Sequence, residues 1–333
     1  MVYEFPIWAT NIPDRINYLK NNISNITHII VMGQHDLDIG ETAYKQYLPN
    51  IVEIAKTNNV PMDIITMAHP NIGISFNDPY VKIHYWPEYW FLETRKRMTS
   101  GDSYKFNKSL GLNFNDTNSI LSHTDFKYLF ISLNKIQKTH RCIMIDMLAK
   151  NNLIDKGAIA WRSIPRCKGE LVGSSTYRFK YRKNTPLFLD QTSDQKLFNQ
   201  EQLPIQYSQS FMQIVPESTD KFFAITEKTC VPLFFCKPFL VVGCHRFHTF
   251  LQDLGFQLYD ELFDYYFDGT RDIEKRYDLI SREIKKFESK NPKELKQIYI
   301  TIKDKLLYNR EHAFKLSEKY LEIWDLTSDR IRF

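Results

Sequence analysis

The chain has 333 residues, about twice the length of a typical single domain, so two packed domains are expected. Hydrophobic residues make up 43% of the sequence and charged residues 25%, a composition that fills apolar cores and excludes an intrinsically disordered chain. The formal net charge of +5 is too small to indicate a dedicated nucleic-acid-binding protein.

The sequence disfavours membrane and secreted proteins, and it disfavours cysteine-based zinc sites and disulfide frameworks. No apolar stretch approaches the roughly 18 residues of a membrane helix, and the amino-terminal residues lack the pattern of a secretory signal. The five cysteines form no CxxC pair, which argues against a zinc knuckle and against a disulfide framework. These features predict a cytoplasmic protein without a membrane span, located in the host cytoplasm if the chain is viral.

The first part of the chain alternates buried strands with helices. Apolar, β-branched runs predict strands at 26–32 and 62–67, and helical spacing predicts a helix at 41–57 between them. A third strand at 81–86 leads into a helix at 88–98. Strand, helix and strand of these lengths predict a parallel α/β sheet.

Residues 99–122 are rich in Gly, Ser, Asn and Asp and predict a linker, after which the alternation resumes. Strands are then predicted at 128–133, 158–161, 210–215 and 238–243, and helices at 141–150 and 226–235. Two charged amphipathic stretches over 272–323, broken at Asn291-Pro292, predict carboxyl-terminal helices. The predicted fold class is α/β, with two Rossmann-like doubly wound domains over 1–118 and 119–300 and helices over 301–333 packing across the domains.

Ligands of open α/β sheets collect at the carboxyl ends of the strands, so the loops that follow strands are the informative ones. The loop after the strand at 128–133 holds four basic side chains: Lys135, Lys138, His140 and Arg141. Because a helix begins there, free backbone N–H groups add to these charges and favour a phosphate. A solvated basic loop is the alternative.

A second polar loop follows the strand at 210–215. Thr226 is predicted to cap a helix whose first turn contains Glu227 and Lys228. A lysine at the amino end of a helix is unfavourable unless an anion is nearby, which again indicates phosphate. By itself this pattern is weak, since caps followed by charged residues are common.

Well-known catalytic motifs are missing from the sequence. Neither GxGxxG nor GxxxxGK[ST] occurs, which disfavours Rossmann dinucleotide enzymes and P-loop NTPases, and GxSxG and HExxH are missing as well. Asp36-Leu-Asp38 is similar to the acidic pair that holds a divalent metal in many sugar-nucleotide enzymes. A chain with 39 acidic residues contains such triplets by chance, so no metal site is predicted.

The two loops together resemble a known family, a group of bacterial and viral glycosyltransferases. The segments similar to the opening of its second domain are Phe130–Asn134, His140-Arg141, Leu153–Gly157 and Trp161. The segments similar to its donor-binding part are Phe223–Thr229, Lys237–Gly243 and Leu254–Phe256. More distantly, the chain is similar to α1,3-fucosyltransferases, in which a Thr-Glu-Lys segment lies at the sugar-nucleotide site. The resemblance covers residues 127–270.

This resemblance implies a glycosyltransferase of the two-Rossmann-domain (GT-B) type. Such an enzyme transfers a hexosyl or pentosyl group from a GDP or UDP sugar to a hydroxyl acceptor, first of all a glycan, with inversion and without a metal or other cofactor. It implies that Arg141 and Lys228 contact the donor diphosphate and that Glu227 lies at the ribose. The implied donor site also includes Asn134, His140, Ser218 and Thr226. Fucosyltransferases have Phe-Glu-Asn-Ser where this chain has Val215–Ser218, so the sugar stays open.

A general base must also deprotonate the acceptor hydroxyl. In this architecture the first domain supplies it, and Asp36 is the first candidate and Glu88 the second. Two other functions share the same donor site. A viral enzyme that glycosylates hydroxymethylated DNA bases predicts salt-sensitive DNA binding. A non-catalytic nucleotide-sugar or nucleic-acid binding protein predicts donor binding without turnover.

Overall fold

The computed structural model describes residues 1–6, 11–32, 37–66, 81–85, 88–134, 138–161, 177–181, 203–221 and 223–331. The strands in these ranges are β1 (Val2–Pro6), β2 (His28–Met32), β3 (Met62–Thr66), β4 (Val81–Tyr85), β5 (Tyr128–Asn134), β6 (Gly157–Trp161), β7 (Ser210–Pro216) and β8 (Phe239–Val242). The helices are α1 (Ile12–Asn22), α2 (Leu37–Thr57), α3 (Glu88–Thr99), α4 (Gly101–Ser109), α5 (Thr117–Ser122), α6 (Thr139–Lys150), α7 (Ile205–Ser208), α8 (Glu227–Phe234), α9 (Phe247–Asp253), α10 (Ile273–Lys285), α11 (Pro292–Thr301) and α12 (Lys303–Ile331).

The first sheet is parallel and runs in the order β1-β2-β3-β4. Its three predicted strands are confirmed as β2, β3 and β4, and the predicted helix is α2, which begins four residues earlier than expected. Strand β1 and helix α1 were not predicted, since β1 is a five-residue segment containing a glutamate and a proline. The described strands follow chain order without reversal, so the doubly wound arrangement predicted for this domain is not found among them. Each connection places the next strand at the same edge of the growing sheet.

The second sheet is also parallel, with the order β6-β5-β7-β8. The chain passes from β5 to β6 at one edge and then returns to the other side of β5 to form β7. The strand order therefore reverses between β5 and β7. This reversal opens a crevice at the carboxyl ends of β5 and β7, the place where sheets of this type bind ligands.

The predicted linker is a packed segment, which corrects the expectation for residues 99–122. Helices α4 and α5 occupy most of it, and Asp116 caps α5 by accepting from two backbone amides. The Phe114 side chain is fully buried, and its ring contacts those of Phe234, Phe235 and Phe314. The polar composition was misleading because a few apolar side chains are enough to anchor the segment.

The chain divides into two compact units, Met1–Tyr89 with Ser317–Phe333 and Trp90–Leu316. The division falls at Tyr89, whereas the sequence placed a domain boundary at residue 118. The reason lies in the packing of α3, because its Phe91 ring contacts Phe234 and Phe256 within the second unit. Near the carboxyl end, the predicted break is confirmed by Asn291, which forms a capping box with Glu294 at the start of α11. Among the described helices, none has the length and apolarity of a membrane span.

The side chain of Lys237 lies deep in the core of the second unit, with 6% of its surface exposed. Its ammonium group donates a hydrogen bond to the backbone carbonyl of Ser210 and lies 5.0 Å from the ring centroid of Tyr207. Burial lowers the pKa of Lys237 from 10.5 to about 7. The unfolded chain therefore binds a proton more readily than the folded protein between these two values.

We expect the free energy of unfolding to fall as the pH drops from about 10.5 to about 7, and this contribution to level off below pH 7. The limiting slope is about 1.4 kcal/mol per pH unit. In Lys237→Met this component of the pH dependence should disappear, and the variant should be more stable than the wild type at pH 7. Urea unfolding across this range measures the effect, with exposed Lys156→Met as the control. Parallel wild-type and Lys237→Met curves would contradict the expectation.

Candidate functional site

Glu217 follows β7 directly and organises the loop at the crevice of the second sheet. Its side chain is completely buried. Oε1 accepts hydrogen bonds from the Thr226 amide (3.1 Å) and the Thr229 hydroxyl (2.6 Å). Oε2 accepts from the Ser218 amide (2.9 Å) and the Thr226 hydroxyl (2.7 Å). One carboxylate thus ties the end of β7 to the first turn of α8.

The first turn of α6 is attached to the same point of the chain. The Nε2 atom of His140 donates to the carbonyl oxygen of Glu217 over 2.8 Å. Nη2 of Arg141 donates to the carbonyl oxygens of Glu217 (3.0 Å) and Pro216 (3.2 Å). Because β5 and β7 are neighbours, the helix that follows β5 begins beside the end of β7. Both side chains are buried, and their hydrogen bonds hold the start of α6 against the end of β7.

Two lysine ammonium groups meet at Ser218. Nζ of Lys138, at the amino end of α6, donates to the Ser218 carbonyl oxygen over 2.7 Å. Nζ of Lys228, in the first turn of α8, donates to the Ser218 hydroxyl (3.1 Å) and to Glu227 Oε1 (2.8 Å). Thr226 accepts from the Lys228 amide, which confirms the predicted helix cap. Two positive charges from different helices therefore lie at one residue.

The electrostatic setting explains the ionisation of the neighbouring groups. Burial, together with the charges of Arg141 and two lysines, holds the pKa of His140 well below its usual range, so the ring is neutral. Burial acts to raise the pKa of the Glu227 carboxyl, but the adjacent Lys228 ammonium outweighs it and the pKa is lowered. Glu227 is therefore ionised. It is also the nearby anion that accounts for a lysine at the amino end of α8.

This arrangement is chemically suited to a polyanion. Two ammonium groups, those of Lys138 and Lys228, lie at Ser218 beside the amino end of α8. A bound diphosphate would gain charge-assisted hydrogen bonds from both lysines. The carboxylates of Glu217 and Glu227 do not block this, since four donors surround the first and the Lys228 ammonium binds the second.

Most predicted donor-site residues come together here, namely His140, Arg141, Ser218, Thr226, Glu227 and Lys228. Asn134, at the carboxyl end of β5, is buried and donates to the Ser132 hydroxyl over 3.0 Å. The Arg141 guanidinium faces backbone carbonyls in this structure, and its predicted diphosphate contact stays a prediction, as do the other assigned roles. Of the two candidate bases, Asp36 lies outside the described residues, and Glu88 begins α3 with only its backbone described.

Glu217 and Lys138 are the two residues that the sequence analysis did not assign to the site. Lys138 belongs to the predicted basic loop, so its charge was a usable signal. Glu217 lies next to Ser218, but a sequence does not distinguish a buried glutamate that accepts four hydrogen bonds from an exposed one. Within the described ranges, no group of three or more His, Cys, Asp or Glu side chains has the arrangement of a metal site.

Comparisons with known proteins add little to this geometry. No protein-family model and no curated protein matches the chain. Among solved structures, a crystal structure of an α1,3-fucosyltransferase is similar, with 14% sequence identity and a TM-score of 0.38. The similarity covers 92% of this chain and 90% of that chain. A TM-score of this size does not establish a common fold, so membership of the bacterial and viral family stays a prediction.

Proposed function

We propose that this protein is a glycosyltransferase that moves a hexosyl or pentosyl group from a GDP or UDP sugar to a hydroxyl acceptor, first of all a glycan. The observation that carries the proposal is the meeting of the Lys138 and Lys228 ammonium groups at Ser218. They lie at the reversal of strand order, where α/β sheets bind nucleotides. The resemblance of Thr226–Lys228 to a sugar-nucleotide motif supports the same assignment.

The proposed reaction breaks the bond between the sugar and the diphosphate. Negative charge develops on the departing nucleoside diphosphate, and ammonium groups that are already held in position stabilise that charge. Because Lys138 and Lys228 supply two positive charges, the proposal includes no metal. The acceptor oxygen attacks opposite the leaving group, so the configuration inverts. Asp36 or Glu88 takes the acceptor proton in this proposal.

Glu227 is proposed to bind the ribose of the donor. Its carboxylate is ionised and mostly buried, with 16% of the side chain exposed, and it is held in place by Lys228. An ionised carboxylate next to a diphosphate site accepts hydrogen bonds from the ribose hydroxyls. Lys228 would then position the ribose-binding residue as well as the leaving group.

Thermal denaturation in the presence of UDP, GDP and their sugars tests the donor site. A ligand at 100 times its dissociation constant stabilises the folded state by about 2.7 kcal/mol. We expect the Tm to rise by about 5–10 °C with one nucleotide type. The rise should fall by about half or more in Lys228→Met and should be kept in Lys150→Met. Lys150 lies at the other end of α6 and pairs with Asp278 of α10. No shift with any of these ligands would contradict the proposal.

Turnover separates an enzyme from a binding protein. Release of the nucleoside diphosphate from the stabilising sugar nucleotide, with candidate glycans or water as acceptor, is expected for the transferase. Binding without any release would favour the non-catalytic alternative. No feature of the described residues favours the DNA-base alternative over a glycan acceptor.

A further inference from the structure

His140 and Asp220 face each other in the candidate donor site, and each directs one hydrogen-bond acceptor toward the other. His140 Nε2 donates to the Glu217 carbonyl oxygen, and because a carbonyl can only accept, this nitrogen carries the proton of the neutral ring. Nδ1 therefore holds a lone pair. It lies 3.6 Å from Oδ1 of Asp220, which is longer than a hydrogen bond. One additional proton would turn this contact into a charge-assisted hydrogen bond.

Positive charge surrounds the pair and opposes that proton. The titratable and charged groups facing it are Lys138 and Arg141 of α6, Glu217 and Lys221 of the β7–α8 loop, Lys228 of α8, Cys244 after β8, and Arg276 and Tyr277 of α10. Burial raises the pKa of Asp220 and lowers that of His140. The Asp220 carboxylate would accept a proton bound at Nδ1, whereas the lysine charges at Ser218 repel it.

We propose that binding of the nucleotide-sugar diphosphate at Lys138 and Lys228 is coupled to the uptake of one proton between His140 Nδ1 and Asp220 Oδ1. This inference rests on the proposed function, since it requires a diphosphate at the two lysines. The bound dianion neutralises the charges that repel the proton. The proton comes from solvent, and the His140–Asp220 contact closes to a hydrogen bond. Asp220 thereby becomes a positioning residue that acts through His140 on the Glu217 carbonyl and the start of α6.

Linkage fixes the direction of the resulting pH dependence. The complex holds more protons than the free protein, so donor binding strengthens as the pH falls. The limit is about a tenfold gain in affinity per pH unit for one proton. A site of lysines and backbone amides alone would show no such gain around pH 6–7.

Isothermal titration calorimetry in buffers of different ionisation enthalpy measures the proton directly. The probes are UDP-glucose and GDP-mannose, because the second ionisation of a terminal phosphate, at about pH 6, is missing when both ends of the diphosphate are esterified. At pH 6 we expect the slope of observed enthalpy against buffer enthalpy to indicate uptake of between about half a proton and one proton per bound donor. Binding with buffer-independent heat would overturn this inference and leave the proposed function intact. No binding of either probe would overturn both.

Two variants locate the proton. In Asp220→Asn the amide can donate to the neutral His140 Nδ1, so donor binding should persist while uptake falls to near zero. In His140→Gln the side chain can still donate to the Glu217 carbonyl but cannot titrate, and uptake should again disappear. His245→Gln is the matched control, because His245 also bonds a backbone carbonyl, that of Gly269, over 3.0 Å. Unchanged uptake in a folded Asp220→Asn or His140→Gln variant would overturn the assignment.

Discussion

Replacing Lys228 with methionine is expected to weaken sugar-nucleotide binding by about 10- to 150-fold, the equivalent of one charge-assisted hydrogen bond worth about 1.5–3 kcal/mol. Release of the nucleoside diphosphate should slow further, by about 100- to 1000-fold, because the lost charge acts most strongly on the departing group. Three bonds from Lys228 Nζ, to Ser218, Thr226 and Glu227, hold the ammonium in place before the donor arrives. Because an ammonium has three donors, a bound diphosphate would replace at least one of these bonds with a charge-assisted bond to the donor.

Calorimetry and steady-state rates measure the two effects separately. Lys150→Met removes the same side chain from the distant end of α6, where 61% of Lys150 is exposed, and should leave both values unchanged. Lys228→Arg keeps the positive charge and should retain part of the affinity. If Lys228→Met bound the donor and released the diphosphate within threefold of the wild-type values, the leaving-group role of Lys228 would be excluded.

Replacing Glu217 with glutamine is expected to lower the free energy of unfolding by about 3 kcal/mol. The carboxylate accepts four hydrogen bonds, whereas an amide has one accepting oxygen and directs its NH₂ group toward donors. At least two buried donors then lose their partner, at about 1–3 kcal/mol for each. The Tm should fall by about 6–12 °C.

Urea unfolding and thermal denaturation measure this loss of stability. Two further variants serve for comparison, one that removes a single hydrogen bond and one that is a control. Thr229→Val removes one donor to Glu217 while keeping the shape of the side chain, and should cost about 1 kcal/mol. Glu288→Gln changes a partly exposed glutamate of the same unit and should have little effect. A Glu217→Gln protein as stable as the wild type would show that the four hydrogen bonds do not stabilise the loop.

The parallel strands were predictable because burial on both faces leaves a continuous apolar run in the sequence. The runs at 26–32 and 210–215 have this character, and both form strands. Composition failed at 99–122, where polar residues suggested a linker and α4 and α5 form instead. A helix that is anchored by few apolar side chains depends on its tertiary neighbours, which local composition does not contain.

The site was predictable in part because local hydrophobic patterns show where strands end and helices begin. Thr226 and Lys228 lie at a strand-to-helix connection, and such connections can be located from periodicity alone. The assignment of Arg141 to the diphosphate rested on its charge and on resemblance, whereas the structure turns its guanidinium toward the carbonyls of Pro216 and Glu217. Charge is a property of the residue, but the direction of a side chain depends on what packs around it.

The sequence by itself determined the α/β class, the two parallel sheets and the two loops that hold the basic residues, because hydrophobic period and helix caps are local signals. Only the tertiary structure decided that β7 lies beside β5, and it thereby brought Lys138 and Lys228 to one serine from positions 90 residues apart. It also decided that Glu217 is buried and that His140 faces Asp220. These facts depend on strand order and on the exclusion of water, and both arise from contacts between residues that are distant in the chain.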